Sequence, residues 1–262
     1  MEQSVVNGAG RLEQVLERWW GYKSFRPMQR EIVESVLAGC DTLALMPTGG
    51  GKSLLYQLPT MAGQGLCIVV TPLIALMKDQ VDRLRSRGIA AVAVHSGMDA
   101  RRIDIALDNC AYGDVKFLYI APERLATDTF RLRLQRMNVA LLAVDEAHCI
   151  SQWGYDFRPS YRRIAEIRRL LPGVPVLALT ASATETVAAD IMDSLSFGEP
   201  RIMRSSFARP NLSYVVRRTE DKFGQLVRML SSVAGSAIVY MRTRDGVEQL
   251  CAQLTAEGVG AS

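Results

Sequence analysis

The chain has 262 residues, 48% hydrophobic and 22% charged, a balance that suits a globular protein and excludes a disordered tract. Its formal net charge of +4 permits a nucleic-acid partner without requiring one, because binding depends on local Lys/Arg clusters rather than the total. Five scattered cysteines (Cys40, Cys67, Cys110, Cys149 and Cys251) form no C-x-x-C pair, so neither a disulfide framework nor a zinc site is expected in this chain, and a reducing compartment is.

In chain order, "MEQSVVNGAGRLEQ" lacks the basic start and apolar stretch of a secretory signal. No apolar run reaches the roughly 18–20 residues of a membrane span, so a cytoplasmic protein without a membrane partner is expected. "RPMQREIVESVLAGC" predicts a helix, with Pro27 near its start, Ile32, Val33 and Val36 on one face and Gly39 as a stop. Six short apolar runs follow: "DTLALM", "LCIVVT", "AAVAVH", "VKFLYI", "VALLAVDE" and "VPVLALT". Continuous rather than alternating hydrophobicity marks strands buried on both faces, as in a parallel sheet between helices. Between them "PLIALMKDQVDRLRSRG" reads as a helix ending at Gly88. The six strands make a three-layer α/β domain. "FARPNLSYVV" then reads as a linker, and "GSAIVYMRTRDGVEQLCAQLTAEG" as a fresh strand–helix unit.

"LALMPTGGGKSLLYQLP" raises the first chemical question, because its glycine-rich turn ends in lysine and serine. Phosphates need many donors at short range, and backbone N–H groups supply them only where side chains stay clear. Gly49, Gly50 and Gly51 clear that space, and a helix beginning near Lys52 aims its positive end at the anion. Lys52 is expected to reach the β- and γ-phosphates and Ser53 to join a Mg²⁺ shell, with Thr48 shaping the turn. The first position of the spacing is Met46 where glycine is usual. Such a loop needs a carboxylate on a neighbouring strand. "ALLAVDEAHC" offers Asp145 to hold the metal and Glu146 to orient and deprotonate the attacking water, with His148 on the same turn as a relay. ATP and Mg²⁺ are the expected cofactors.

In order, "MPTGGGKSLLYQLP", "VVTPLIALMKDQVDRL", "YIAPERL", "DEAHCISQWGYDFRPSYRRI" and "LALTASATETV" resemble the motifs of the superfamily 2 RecQ DNA helicases. "HCISQWGYDFRPSY" is the most specific segment, since "DEAH" alone is shared with RNA helicases. The resemblance implies an α/β RecA-like P-loop domain with a largely parallel sheet. It also implies that "WGYKSFRPMQ" reads adenine, Tyr22 stacking on the base, Gln29 bonding its edge and Arg26 supporting the phosphates. Without the family, Tyr22 and Phe25 read more readily as core residues, and the resemblance reverses that reading. Trp153, Tyr155 and Phe157 alternate beside Arg158, and the family likeness makes Trp153, Phe157 and Arg158 a single-strand-binding loop that couples DNA to hydrolysis. On residues alone, those rings also suit a hydrophobic staple. By the same likeness Thr71, Pro72, Glu123 and Arg124 line the strand path, and Thr180 and Thr184 in "TASAT" sense nucleotide state.

The implied organisation is a helicase ATP-binding domain over 1–205, a linker over 206–213 and the incomplete start of a second RecA-like domain over 214–262, with Arg244 at that domain's motif arginine. The implied function is a 3′–5′ DNA helicase working on single-stranded and branched or tailed duplex DNA in repair and recombination, nucleoid-associated if bacterial. On that reading the chain is truncated and deficient in unwinding alone. The rivals are another superfamily 2 motor, acting on RNA or duplex, and a non-enzymatic ATP- and DNA-binding fragment.

Overall fold

The computed structural model describes residues 3–154, 156–206 and 211–262. Part of the expected linker, residues 207–210, lies outside them, as does Tyr155. The chain divides into two compact units, Met1–Ala208 and Arg209–Ser262.

Among the described residues the first unit holds one seven-stranded parallel sheet. The six apolar runs become β1 (Thr42–Leu45), β2 (Leu66–Val70), β3 (Ala91–Val94), β4 (Phe117–Ile120), β5 (Val139–Val144) and β6 (Val176–Thr180). A seventh strand, β7 (Arg201–Arg204), was not expected, because its residues are largely exposed and carry charge rather than an apolar run. The order is β3-β4-β2-β5-β6-β1-β7. This corrects the expectation that the phosphate loop and its carboxylate follow neighbouring strands: β6 lies between β1 and β5. Leu45 aligns with Thr180, and Val144 with both Val70 and Ala178, so the strands end nearly level and their loops share one edge.

Successive side chains point to opposite faces of a strand, which sorts the core into two layers. Helices α1 (Gln3–Trp20), α2 (Gln29–Leu37), α3 (Leu54–Ala62) and α4 (Ile74–Arg85) cover one face, packing Leu16, Ile32, Leu55 and Met77 on Ala44, Val69 and Leu179. Helices α5 (Ala100–Tyr112), α6 (Asp128–Leu134), α7 (Arg163–Arg169) and α8 (Glu185–Ser194) cover the other, where Leu107, Phe130, Ile164 and Ile191 meet Leu45, Ile68 and Ala178. Burial of the core removes apolar area worth about 25 cal/mol per Å². At the opposite, N-terminal edge of the sheet, Arg168 Nη1 donates to Asp41 Oδ1 at 3.0 Å, and Val176 N–H donates to the same oxygen at 3.0 Å. Arg168 therefore belongs to the scaffold and not to the wet face of α7.

The second unit carries α9 (Lys222–Ser232) and α10 (Arg244–Ala256), each started by a side-chain cap. Asp221 accepts from Gly224 N–H at 2.8 Å and Thr243 from Gly246 N–H at 3.1 Å. The expected strand over "AIVY" is not formed: Ala237–Tyr240 joins no ladder among the described residues, and Ile238 and Tyr240 stand exposed. Hydrophobic sequence alone does not make a strand, because its backbone groups need a neighbour to pair with.

Candidate functional site

The phosphate loop leaves β1 with Met46, whose N–H donates to Thr180 O at 3.0 Å. Met46 is buried in the core layer beneath the loop, and its Cε would lie 3.4 Å from a Cβ added at Gly50. That explains the departure from the usual spacing: the position roots the loop in the core and needs no glycine. The three glycines that follow are required. Gly49 and Gly51 both sit at φ +80°, and a Cβ on Gly50 would be 2.9 Å from Pro47 O. Helix α3 begins at Leu54, two residues later than expected, with Lys52 and Ser53 in the turn before it. Ser53 is hydrogen bonded to Tyr56. This glycine cradle, with a lysine and a hydroxyl at its exit, fits a triphosphate and its magnesium.

The adenine-reading expectation meets a specific geometry. Tyr22 is exposed, as a stacking ring must be. Gln29 is only 3% exposed, and both ends of its amide are engaged: Oε1 accepts from Arg26 N–H at 3.0 Å and Nε2 donates to Gly50 O at 3.1 Å. Arg26 Nη1 donates to Gly49 O at 2.8 Å. The amide edge is thus not open to a base here; both residues latch onto the phosphate loop.

Across the sheet edge, β5 delivers the acidic turn. Asp145 N–H donates to Val70 O at 2.9 Å, and the Tyr161 hydroxyl donates to Asp145 O at 3.0 Å, fixing the backbone. Burial, reinforced by Glu146, raises the Asp145 carboxyl above its ordinary range, against the pull of Lys52 and a hydrogen bond from Thr71. Thr71, expected along the strand path, is buried here and its hydrogen bond orients the Asp145 carboxyl. Glu146 adopts φ 47° and ψ 46°, a left-handed conformation that costs a non-glycine residue about 1–3 kcal/mol and marks functional turns. Its Oε1 stands 3.8 Å from Lys52 Nζ, and its Oε2 3.3 Å from His148 Nδ1, whose hydrogen bond holds the Glu146 carboxyl below its usual range. His148 Nδ1 is also 3.0 Å from Thr180 Oγ1, at the end of β6. Contacts therefore run unbroken from Lys52 through Glu146 and His148 to Thr180. Thr184 caps α8, accepting from Val187 N–H at 3.3 Å.

The tryptophan loop continues directly from this turn. Trp153 is 76% exposed, while Phe157 is partly covered by the Arg162 guanidinium 5.3 Å from its ring centre. Arg158 closes back on Asp156, Nη2 to Oδ2 at 2.9 Å, rather than facing outward alone. Gly154 lies so close to the acidic turn that a Cβ there would sit 2.7 Å from His148 O. Two residues that sequence reasoning passed over hold the loop. The buried Ser151 hydroxyl donates to Asp190 Oδ2 at 2.5 Å and accepts from Trp153 N–H at 3.2 Å. Asp190 follows "TASAT" on α8, and only the fold brings it to Ser151. Pro72 is partly buried, Glu123 is exposed and Arg124 partly buried on the same edge. Exposed Leu73 follows Pro72, and exposed Ile74 and Leu76 stand in the first turn of α4.

A parallel sheet with a glycine cradle, lysine and paired carboxylates along one edge defines a nucleotide-driven motor domain, and the DEAD/DEAH box helicase family matches residues 26–191. The chain belongs to that family. Within it the sequence is similar to helicases of RecQ type. It is 39% identical over 248 residues to ATP-dependent DNA helicase RecQ of Pasteurella multocida (strain Pm70), covering 94% of this chain and 39% of that protein. It is 41% identical over 256 residues to ATP-dependent DNA helicase RecQ of Bacillus subtilis (strain 168), covering 96% and 43%. The chain thus spans about two-fifths of the length of these curated relatives. The solved structure of DUF1998 helicase MrfA bound to DNA shares the fold, with a TM-score of 0.71, 16% identity and coverage of 94% of this chain and 38% of that one. No helix among the described residues is long and apolar enough to cross a membrane.

Proposed function

We propose that this chain supplies the ATP-binding motor of a 3′–5′ DNA helicase, coupling ATP hydrolysis to movement along single-stranded DNA and to duplex opening in repair and recombination. The observation that carries the reading is the junction of Lys52, Glu146 and His148, because the loop bearing exposed Trp153 grows from the same turn. Gly49 and Gly51 would offer their N–H groups to the triphosphate, Gly50 closing the turn by donating its own to Pro47 O at 3.0 Å, with Thr48 in the turn and Lys52 on the phosphate charge. Ser53 and Asp145 would hold magnesium, which supplies neutralisation of phosphate charge when bound. Glu146 orients a water and takes its proton; the His148 contact keeps that carboxylate ionised for the task. Tyr22 and Gln29 select the base, with Gln29 exchanging its present partners for the adenine edge. On the DNA side, Trp153 stacks on a base while Arg158, Pro72, Glu123 and Arg124 line the strand. Ser151 and Asp190 hold the loop. Thr180 and Thr184 pass the state of Glu146 to α8. The domain boundaries at 205 and 213 belong to the same reading, as does action in the cytoplasm.

The test is phosphate release by the chain with and without single-stranded DNA, competed by RNA of matched sequence. Stimulation by DNA that RNA does not match supports the reading. Equal stimulation by both, or none with bound ATP, overturns it in favour of an RNA motor or a binding module.

A further inference from the structure

Two tyrosines meet in the core layer beneath the phosphate loop. Tyr56 on α3 and Tyr119 on β4 are both buried, their rings edge to face with centroids 6.3 Å apart. Their hydroxyls stand 3.3 Å from each other. Gln57, also buried, donates from Nε2 to the Tyr119 hydroxyl at 3.2 Å and to Gln80 Oε1 of α4 at 3.4 Å. At the other end Tyr56 is hydrogen bonded to Ser53. A line of polar groups therefore runs from α4 through the core to the hydroxyl at the exit of the glycine cradle.

Packing does not account for that line. The edge-to-face contact needs only the rings, and a buried hydroxyl costs stability unless it is well bonded. These bonds are long, since O–H···O contacts usually close to about 2.7–2.8 Å and N–H···O contacts to about 2.9–3.0 Å. Phenylalanine would fill the same space with nothing to satisfy. The hydroxyls do have a consistent direction. With Gln57 donating to Tyr119, the arrangement that leaves no phenolic proton unpaired has Tyr119 donating to Tyr56 and Tyr56 donating to Ser53 Oγ. Burial raises both phenols above their ordinary range, and the charge of Asp145 acts in the same direction, so each keeps its proton and stays a donor.

We propose that Tyr56 is a positioning residue of the nucleotide site: its hydroxyl, held in turn by Tyr119 and Gln57, fixes the Ser53 side chain in one rotamer before magnesium–ATP arrives. A free serine side chain has three staggered rotamers, and ordering it in advance removes that cost from binding. The inference rests on the proposed function, which assigns Ser53 to magnesium.

The test is the binding of ATP carrying an N-methylanthraniloyl group to the full chain, followed by fluorescence anisotropy in Mg²⁺ and in EDTA. The ratio of the two Kd values is the magnesium gain, and it needs no turnover. Tyr56→Phe keeps the ring and should cut the gain about fivefold while the Kd in EDTA holds; Tyr119→Phe, one link further away, should cut it about twofold. In a Ser53→Ala background Tyr56→Phe should add nothing. Ser35→Ala removes another buried hydroxyl contact, 2.8 Å from Thr42, and should leave the gain intact, which separates positioning from lost stability. An unchanged gain in either tyrosine variant, a further fall in the Ser53→Ala background, or an equal fall in Ser35→Ala would each overturn the inference and leave the proposed function standing. Absence of any magnesium gain in the unaltered chain would overturn both.

Discussion

The two edges of the central sheet are built on opposite terms. At the N-terminal edge, Asp41 and Arg168 are paired, largely buried and further satisfied by Val176 N–H. At the C-terminal edge, Glu146 is held left-handed, Asp145 is a carboxyl that burial keeps from ionising easily, and Trp153 stands in solvent. One edge spends its polar groups on stability, and the other stores strain and exposed surface. The contrast locates the chemistry without any ligand, because such features persist only where the surrounding structure enforces them.

Substitutions that act on one edge and spare the other test this contrast. The largest effect is expected from Lys52→Ala, which should lower ATP turnover by at least about 10²-fold with little change in melting temperature. Asp41→Ala should do the reverse. Breaking a buried pair costs about 3–5 kcal/mol, and a fold of this size loses about 2–4 °C per kcal/mol, while the KM for ATP should hold. Trp153→Ala should reduce the ratio of DNA-stimulated to DNA-free turnover, with stacking worth about 1–3 kcal/mol per base; an unchanged ratio would remove the loop from the coupling scheme. The smallest effect is also the most diagnostic. The Asp145 carboxyl is raised in the fold, so the folded state holds its proton more tightly than the unfolded chain. Its ionisation therefore costs stability as pH rises through the carboxylate range. Asp145→Asn should melt about 2–4 °C higher than the unaltered chain near neutral pH for each kcal/mol relieved, the gap should close as pH falls, and turnover should be lost. A variant that melts lower at neutral pH would contradict the assigned strain.

Much of the fold was legible in sequence because β1–β6 are uninterrupted apolar runs, and burial on both faces leaves no other reading. β7 was not, since Arg201 and Arg204 flank only two apolar residues and its pairing depends on β1 already being in place. The phosphate loop and the acidic turn were legible as short motifs with fixed spacing. What those motifs touch was not. Thr71 reaches Asp145 only through the pairing of β2 with β5, Ser151 meets Asp190 across 39 positions, and the latching of Gln29 onto Gly50 spans 21. The "AIVY" segment shows the converse limit, an apolar run that pairs with no strand among the described residues and so forms none.

β7 carries a final consequence. Among the described residues it closes one side of the sheet, pairing with β1 and leaving its outer ladder of backbone donors and acceptors without a neighbouring strand. An open ladder of that kind is a template for stacking one molecule on another. Arg201 and Arg204 are exposed there, and an approaching copy would bring like charge against like. Protection against aggregation at this border is thus electrostatic, and it weakens as added salt shortens the range of that repulsion.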